Sequence, residues 1–313
     1  MKYVGLQTQI WRNNTRSAVL LIMFPLVLFI LAYIFIYFTS YDPDYPESNG
    51  PYAFNAFLRW IPWISIGVLI WFLIAYSSHT SMIRKATGAK PLERKDNKRV
   101  YNLVENLTIA AGMKMPKINI IEDDSLNAYA SGINAKTFTV TLSRGIIDKL
   151  NDDELEGVIA HELTHIRNRD VRLLIVSIIF VGIFAFLAQM FLRTMVFSGG
   201  SRNRKDGTVM VLGLILAIIG YLITMLFRFA LSRKREYMAD AGGAQLTKKP
   251  EALASALRKI STDSRIEAVK RQDVSQLFID NPQEKKKKKG FSFNSLFATH
   301  PPIDERIRLL EQF

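Results

Sequence analysis

The sequence contains no cysteine. A disulfide framework is therefore excluded, and so are the thiolate ligands that many structural zinc sites use. Any metal site in this chain must be built from nitrogen and oxygen atoms. The absence of cysteine also fits a reducing compartment.

Histidine is scarce, with four residues in the whole chain. Two of them, His161 and His165, belong to an H-E-L-T-H stretch. Residues four apart share one face of a helix about one turn apart, so both imidazoles can meet one metal ion. Glu162 occupies the general-base position of this H-E-x-x-H zinc pattern. The alternative is an ordinary amphipathic helix whose two histidines are satisfied by hydrogen bonds.

Charged residues are missing from four long apolar runs, each long enough to suggest a crossing of a bilayer core that needs about 20 residues. The first run is too long for a signal-peptide core and lacks a convincing cleavage site, which predicts a retained anchor. The middles of the runs hold no ionisable residue, which disfavours a channel or transporter. The runs cover residues 17–41, 60–82, 173–192 and 207–227.

Acidic residues are outnumbered by basic ones, and the formal net charge is +13. The basic residues cluster beside the apolar runs, which favours lipid headgroups and topology selection over nucleic acid. The positive-inside tendency predicts a cytoplasmic N-terminus, residues 1–16, and an external loop, residues 42–59. Residues 83–172 and 228–313 are then predicted to be two cytoplasmic parts of one domain that contains the zinc motif. The hairpin loop, residues 193–206, should lie outside but contains more basic than acidic residues. The sequence therefore leaves two alternatives for the third and fourth runs, full crossing of the bilayer and partial insertion.

The cytoplasmic parts contain patterns typical of several short elements. Strands are predicted over 116–122 and 137–142, a turn region over 127–132, and a loop with the lysine run Lys285–Lys289 over 283–297. Asp152 or Asp153 is predicted to cap the helix of the zinc motif. If that helix continues into the third apolar run, His165 lies about 12 Å before the run and the metal sits near the membrane surface. Further helices are predicted over 97–112, 233–245 and 250–260.

A catalytic zinc usually has three protein ligands and one water, so the two histidines need a partner. Glu236 is the strongest candidate, because it is the first carboxylate after the fourth run returns the chain to the side of the zinc motif. Asp240 lies four residues later on the same helix face, where it can accept a hydrogen bond from a ligand imidazole. The alternative for this pair is a surface ion-pair face. Other candidates for the third ligand are His79, His300, Asp170, which lies well around the helix, and Asp206.

Four segments together resemble the HtpX family of membrane zinc metalloproteases, and the four apolar runs of this chain occur in the same order as in that family. More distantly, the core is similar to the prenyl-protein (CAAX) type I endoproteases. The resemblance implies a mainly α-helical integral membrane protein whose gluzincin-type zinc protease domain contains a small β-sheet. The four segments are His161–His165, Ser232–Asp240, Asn127–Ala130 and Thr299–Arg306.

The resemblance also implies roles for individual residues. One Zn²⁺ per chain is expected on His161, His165 and Glu236, with Glu162 as the base and Asp240 supporting the site. His300 and Arg306 are expected to help stabilise the oxyanion, although each has an ordinary alternative as a helix-entry residue and a surface arginine. An edge strand along the cleft is expected to hold an extended peptide by main-chain hydrogen bonds, through Asn127, Ala128, Tyr129 and Ala130.

The expected function is that of a zinc-dependent endopeptidase in the cell membrane, with its active site on the cytoplasmic side. Its expected partners are membrane lipids and polypeptide substrates, chiefly misfolded or damaged membrane proteins in quality control and stress response. The first alternative is a CAAX-type or peptide-processing protease. The second is a non-enzymatic metal-binding scaffold, which would have no use for Glu162. Substrate identity, oligomeric state and control of self-cleavage stay open.

Overall fold

The computed structural model describes residues 6–197, 204–229, 233–264, 266, 277–279 and 301–313. His300 and the lysine run Lys285–Lys289 lie outside the described residues. The strands are β1 (Lys90–Pro91), β2 (Lys117–Ile121), β3 (Ala128–Ser131) and β4 (Thr139–Ser143). The helices are α1 (Leu6–Thr39), α2 (Pro46–Thr87), α3 (Lys98–Ala110), α4 (Arg144–Lys149), α5 (Asp152–Arg167), α6 (Asp170–Phe197), α7 (Arg204–Phe229), α8 (Arg233–Thr247), α9 (Pro250–Ile260) and α10 (Ile303–Leu310).

The chain divides into two compact units. One unit comprises Met1–Thr15, Ser78–Ile175 and Phe229–Phe313, and it contains all four strands. The other comprises Arg16–Ser77 and Val176–Arg228 and consists of the apolar helices.

The apolar unit is built from parts of α1, α2, α6 and α7. Phe24 stacks on Phe180 with ring centroids 4.0 Å apart and meets Phe184 edge to face at 5.5 Å. Many large hydrophobic side chains face outward, as a lipid environment requires, including Ile22 and Trp63. Among the residues that the structure describes, four helical segments are long and apolar enough to cross a membrane: Asn14–Thr39, Pro46–Thr87, Asp170–Val196 and Gly207–Thr224.

Helix α2 begins well before the apolar run that predicted it. Its first residue is Pro46. Proline suits this position, since its fixed φ fits a helix and the N–H that it lacks would have no hydrogen-bond partner within the helix. The Asn49 side chain accepts from Asp42 N and donates to Asp42 O, both at 2.9 Å, which fastens the entry to the helix. Most of the predicted loop over residues 42–59 is therefore the first part of α2.

The sheet of the other unit has the strand order β1-β2-β4-β3. Strands β2 and β4 are parallel, and they confirm the strands predicted over 116–122 and 137–142. Strand β3 pairs antiparallel with β4 and lies at one edge of the sheet. The turn predicted over 127–132 is wrong, because the chain there forms β3. Gly132 directly after β3 has a φ of +114°, which suits a residue without a Cβ, and the turn itself follows, where Thr137 N donates to Asn134 O at 2.9 Å.

Helix α5 begins with a capping box rather than with an aspartate cap. Asn151 Oδ1 accepts from Glu154 N at 2.9 Å, and Glu154 Oε2 accepts in turn from Asn151 N at 3.0 Å. The prediction that Asp152 or Asp153 caps the helix is therefore wrong. In a capping box the side chain of the cap residue accepts from the N–H of the third helical residue, and the side chain of that third residue accepts from the N–H of the cap residue. Two backbone donors are satisfied at once.

The helix of the zinc motif does not continue into the third apolar run. Helix α5 ends at Arg167, and α6 begins at Asp170. Arg169 between them has a φ of 62°, in the left-handed region, which interrupts the helical hydrogen bonds. The expectation of one continuous helix is wrong, and the distance of about 12 Å derived from it with the helical rise does not apply.

The remaining helix predictions agree with the structure. Asn97 caps α3 by accepting from Val100 N at 3.0 Å, and the helix ends shortly before Gly112. Helices α8 and α9 occur where the sequence patterns place them, and α9 begins with the expected Pro250.

Candidate metal centre

The two glycines of α8 allow this helix to pack very close to α5. A Cβ on Gly242 would lie 2.5 Å from Thr164 Cγ2, and one on Gly243 would lie 3.1 Å from His161 N. Real side chains avoid such distances, so larger residues here would push the helices apart. The close packing brings Glu236, which α6 and α7 separate from the histidines in the sequence, to the histidine face of α5.

The side chains of His161, His165 and Glu236 converge on one point. The two Nε2 atoms are 3.2 Å apart. Glu236 Oε2 lies 3.7 Å from His161 Nε2, and its Oε1 lies 3.6 Å from His165 Nε2. Donors around a tetrahedral zinc at 2.0–2.1 Å are separated by about 3.3 Å. The cluster therefore fits a zinc ion closely, and within the described part of the chain it is the group arranged to hold a metal.

A carboxylate lies behind each of the two imidazoles. Asp240 Oδ1 is 2.9 Å from His161 Nδ1, and Asp170 Oδ2 is 3.1 Å from His165 Nδ1. Such contacts fix the ring orientation and leave both Nε2 atoms directed at the common point. Burial alone would raise the pKa of Asp240, but the Arg306 guanidinium outweighs it and lowers the pKa to about 2.

The sequence reasoning missed the role of Asp170. A continuous helix would carry this residue well around from His165, five positions earlier. The left-handed Arg169 turns the chain instead, so that Asp170 faces back toward the imidazole. Asn168, a weak helix former at the C-terminal cap of α5, is a signal in the sequence for the end of this helix.

Glu162 is buried beside the cluster with 2% of its surface exposed. Burial raises its pKa to about 7, and the N–H of Ala130 donates to its carboxylate. A carboxylate with this pKa can both accept and return a proton near neutral pH. Burial would lower the pKa of His165, but Glu236 and Asp170 outweigh it and raise the pKa to about 9. Burial lowers the pKa of His161.

Arg306 lies at the site and not on the surface. Its side chain is 1% exposed, and Nε and Nη2 each donate to Asp240 at 2.8 Å. The remaining nitrogen, Nη1, donates to Ile279 O at 3.0 Å and is 3.7 Å from Glu236 Oε2. The arginine therefore connects the carboxylate behind His161 with one of the three clustered side chains.

The predicted substrate-binding residues divide into two groups. Ala130 reaches the cluster through its main-chain N–H, which donates to Glu162. The Asn127 and Tyr129 side chains hold the sheet to its surroundings, since Asn127 Nδ2 donates to Ser264 O at 2.8 Å and the Tyr129 hydroxyl lies 2.9 Å from Thr87 Oγ1. Of the other candidates for a third ligand, His79 lies on α2, with Nε2 3.1 Å from Thr80 Oγ1.

Comparison with known proteins agrees with this site. The model of peptidase family M48 matches residues 94–313, a range that contains the whole cluster. A protease HtpX homolog from Bacteroides fragilis strain ATCC 25285 is 61% identical over an alignment of 323 positions that covers 100% of both chains. A second, from Dictyoglomus turgidum, is 41% identical over 254 residues, covering 78% of this chain and 81% of the relative.

Among solved structures, the crystal structure of S. mikatae Ste24p aligns with a TM-score of 0.48 and 18% identity. The alignment covers 96% of this chain and 66% of that protein. The match of the family model and the full-length identity to the first relative decide the assignment. The chain belongs to peptidase family M48, and within that family to the HtpX group of membrane metalloproteases.

Proposed function

We propose that His161, His165 and Glu236 bind one Zn²⁺ per chain and that this centre hydrolyses peptide bonds of membrane proteins. The spacing of the three donors carries the proposal, since each pair is separated by 3.2–3.7 Å. That spacing matches a single small tetrahedral ion. Membership of a metallopeptidase family supports the same chemistry.

The bound zinc would polarise the scissile carbonyl and lower the pKa of the attacking water. Glu162 takes the proton of that water and delivers it to the leaving amine, a role that suits a carboxyl with a pKa of about 7. Asp240 and Asp170 keep the two imidazoles oriented through their Nδ1 atoms.

The negative charge that develops on the carbonyl oxygen needs hydrogen-bond donors. Arg306 Nη1 is a donor beside Glu236, and His300 is the second residue that we expect to contribute. The edge strand β3 would pair with the main chain of an extended substrate and align it past Glu162, because Ala130 already contacts that carboxylate.

We further propose that the site faces the cytoplasm and that misfolded or damaged membrane proteins are the substrates. The four helices that can cross a membrane support residence in the bilayer. The basic residues that flank the apolar runs support the orientation. A protease on such an anchor meets membrane proteins first, and quality control under stress would use that position.

The proposal is tested by a conservative change of the base. We expect Glu162→Gln to retain zinc and to lose cleavage of an unfolded membrane protein by about 100-fold or more, because proton transfer is lost. The protein is purified with chelator in detergent, reloaded with zinc and analysed for metal and cleavage. Glu156→Gln is the matched control, since Glu156 lies on the same helix and contacts Lys249 instead.

Two results would count against the proposal. Cleavage by the Glu162→Gln protein at the wild-type rate would show that the mechanism is wrong. Preference for prenylated C-terminal peptides over unfolded membrane proteins would reject the proposed substrates and favour a CAAX-type protease.

A further inference from the structure

The outer edge of β3 already has a partner from the same chain. Ile279 N donates to Ala128 O at 2.8 Å, and Phe278 lies opposite Tyr129 in antiparallel register. The three residues Leu277–Ile279, here named the internal strand, are all buried. A piece of this chain therefore lies on the edge that the proposed function assigns to the substrate.

Side chains add to the main-chain contact. The Phe278 ring meets the Tyr129 ring edge to face with centroids 4.8 Å apart, and its side chain is fully buried. A substrate that pairs with β3 requires the same Ala128 carbonyl that Ile279 now uses. One carbonyl on one strand edge cannot accept the ladder bond of two strands, so the internal strand and a substrate compete.

The internal strand also reaches the polar part of the site. Arg306 Nη1 donates to Ile279 O at 3.0 Å while lying 3.7 Å from Glu236 Oε2. On the neighbouring strand, Ala130 N–H donates to Glu162. The Ile279 carbonyl therefore takes the donor that the proposed mechanism reserves for a substrate carbonyl.

We propose that Leu277–Ile279 is an internal pseudosubstrate that occupies the peptide-binding edge in the resting enzyme. An extended polypeptide displaces it, exposes Ala128 O and releases Arg306 Nη1 from Ile279 O. Only a chain free to become extended over several residues can replace these contacts, which gives the enzyme a preference for unfolded polypeptide. The inference rests on the proposed function, because it concerns the same site.

A disulfide between positions 129 and 278 tests the displacement. The natural chain has no cysteine, so Tyr129→Cys with Phe278→Cys introduces the only two thiols. Because the flanking Ile279 N donates to Ala128 O, positions 129 and 278 form a non-hydrogen-bonded pair with Cα atoms about 4.5 Å apart. This separation is within the range that a disulfide spans.

Binding of a fluorescent extended peptide is measured with this pair in a Glu162→Gln background, after oxidation with glutathione disulfide and after reduction with a phosphine. Cleavage is measured with the same cysteine pair in a protein that keeps the natural Glu162. We expect the oxidised form to bind and cleave less well than the reduced form of the same protein, a comparison that does not depend on how the double variant compares with wild type. Equal peptide binding by the two redox forms would overturn the pseudosubstrate assignment.

Phe278→Ala provides a second test that leaves β3 unchanged. Loss of the edge-to-face contact with Tyr129 weakens the internal strand and shifts the resting equilibrium, so the dissociation constant and KM of the peptide should fall by about fivefold or more. Leu257→Ala on α9 is the control, since it removes another fully buried side chain. A folded Phe278→Ala protein that binds the peptide no more tightly than wild type would overturn the inference.

The two proposals fail in different ways. Wild-type enzyme that binds zinc and cleaves no polypeptide would defeat the proposed function and the inference with it. Cleavage by wild type, combined with equal activity of the oxidised and reduced disulfide variant, would defeat the pseudosubstrate assignment alone.

Discussion

Replacement of Asp170 should weaken zinc binding although the residue is not one of the three proposed ligands. Its carboxylate is buried, with 5% of the residue exposed, and lies 3.1 Å from His165 Nδ1. Partners of this kind typically change metal affinity by about 10–100-fold. Asp170→Asn keeps an acceptor but loses the charge, so we expect about tenfold weaker binding. Asp170→Ala loses both the acceptor and the charge, and we expect about 100-fold weaker zinc binding, or roughly 2.8 kcal/mol of binding free energy.

The zinc dissociation constant of each purified variant is measured by competition with a chromogenic chelator. Asp153→Ala is the matched control, because this exposed carboxylate on α5 contacts Lys249 and not a histidine. At saturating zinc the Asp170→Asn enzyme should recover much of its cleavage rate, since Glu162 is intact. An Asp170→Ala protein whose zinc affinity stays within twofold of wild type would refute the positioning role.

Three further predictions concern the surroundings of the site. Arg306→Leu should lower the free energy of unfolding by about 3–5 kcal/mol in a denaturant titration, because Asp240 would be left as a buried charge without its bidentate partner. Gly242→Ala should cost about 1–3 kcal/mol and reduce bound zinc, since its Cβ would meet Thr164 of α5 at 2.5 Å. For Glu154, burial alone would raise the pKa, but hydrogen bonds from α9 outweigh it and lower the pKa. Its carboxylate therefore stabilises the fold above the ordinary pKa, and this contribution is lost as the pH falls through the lower folded value. Glu154→Gln should cost about 1.5–3 kcal/mol at pH 7 and flatten the dependence of thermal stability on acid pH, whereas an unchanged profile would contradict this account.

The clustered residues were predictable because their chemistry is encoded in short spacings. His161 and His165 are four residues apart on one helix, so any helix containing them brings the rings together. Glu236 needed an additional argument from topology, since it is separated from the histidines by two apolar helices. Once the chain returned to the same side, it was the first carboxylate available.

The features that escaped prediction depend on conformations that residue types do not announce. Arg169 adopts a positive φ that arginine rarely takes, and the position of Asp170 follows from it. Strand β3 is expected only from the family resemblance and not from its local pattern, because its small and polar residues are as common in turns and its strand conformation comes from pairing with β4. The internal strand is a pairing between residues distant in sequence, which no local pattern contains.

Asp170 is also the first residue of α6, a helix that can cross a membrane. Membrane helices respond to the thickness of the surrounding bilayer by tilting. The contact of 3.1 Å with His165 is an ordinary hydrogen-bond distance, and since such a bond weakens when its angle changes, a tilt that moves this end of α6 would weaken it. Bilayer thickness should therefore affect zinc affinity. The same protein reconstituted in short-chain and in long-chain lipids should have different zinc dissociation constants.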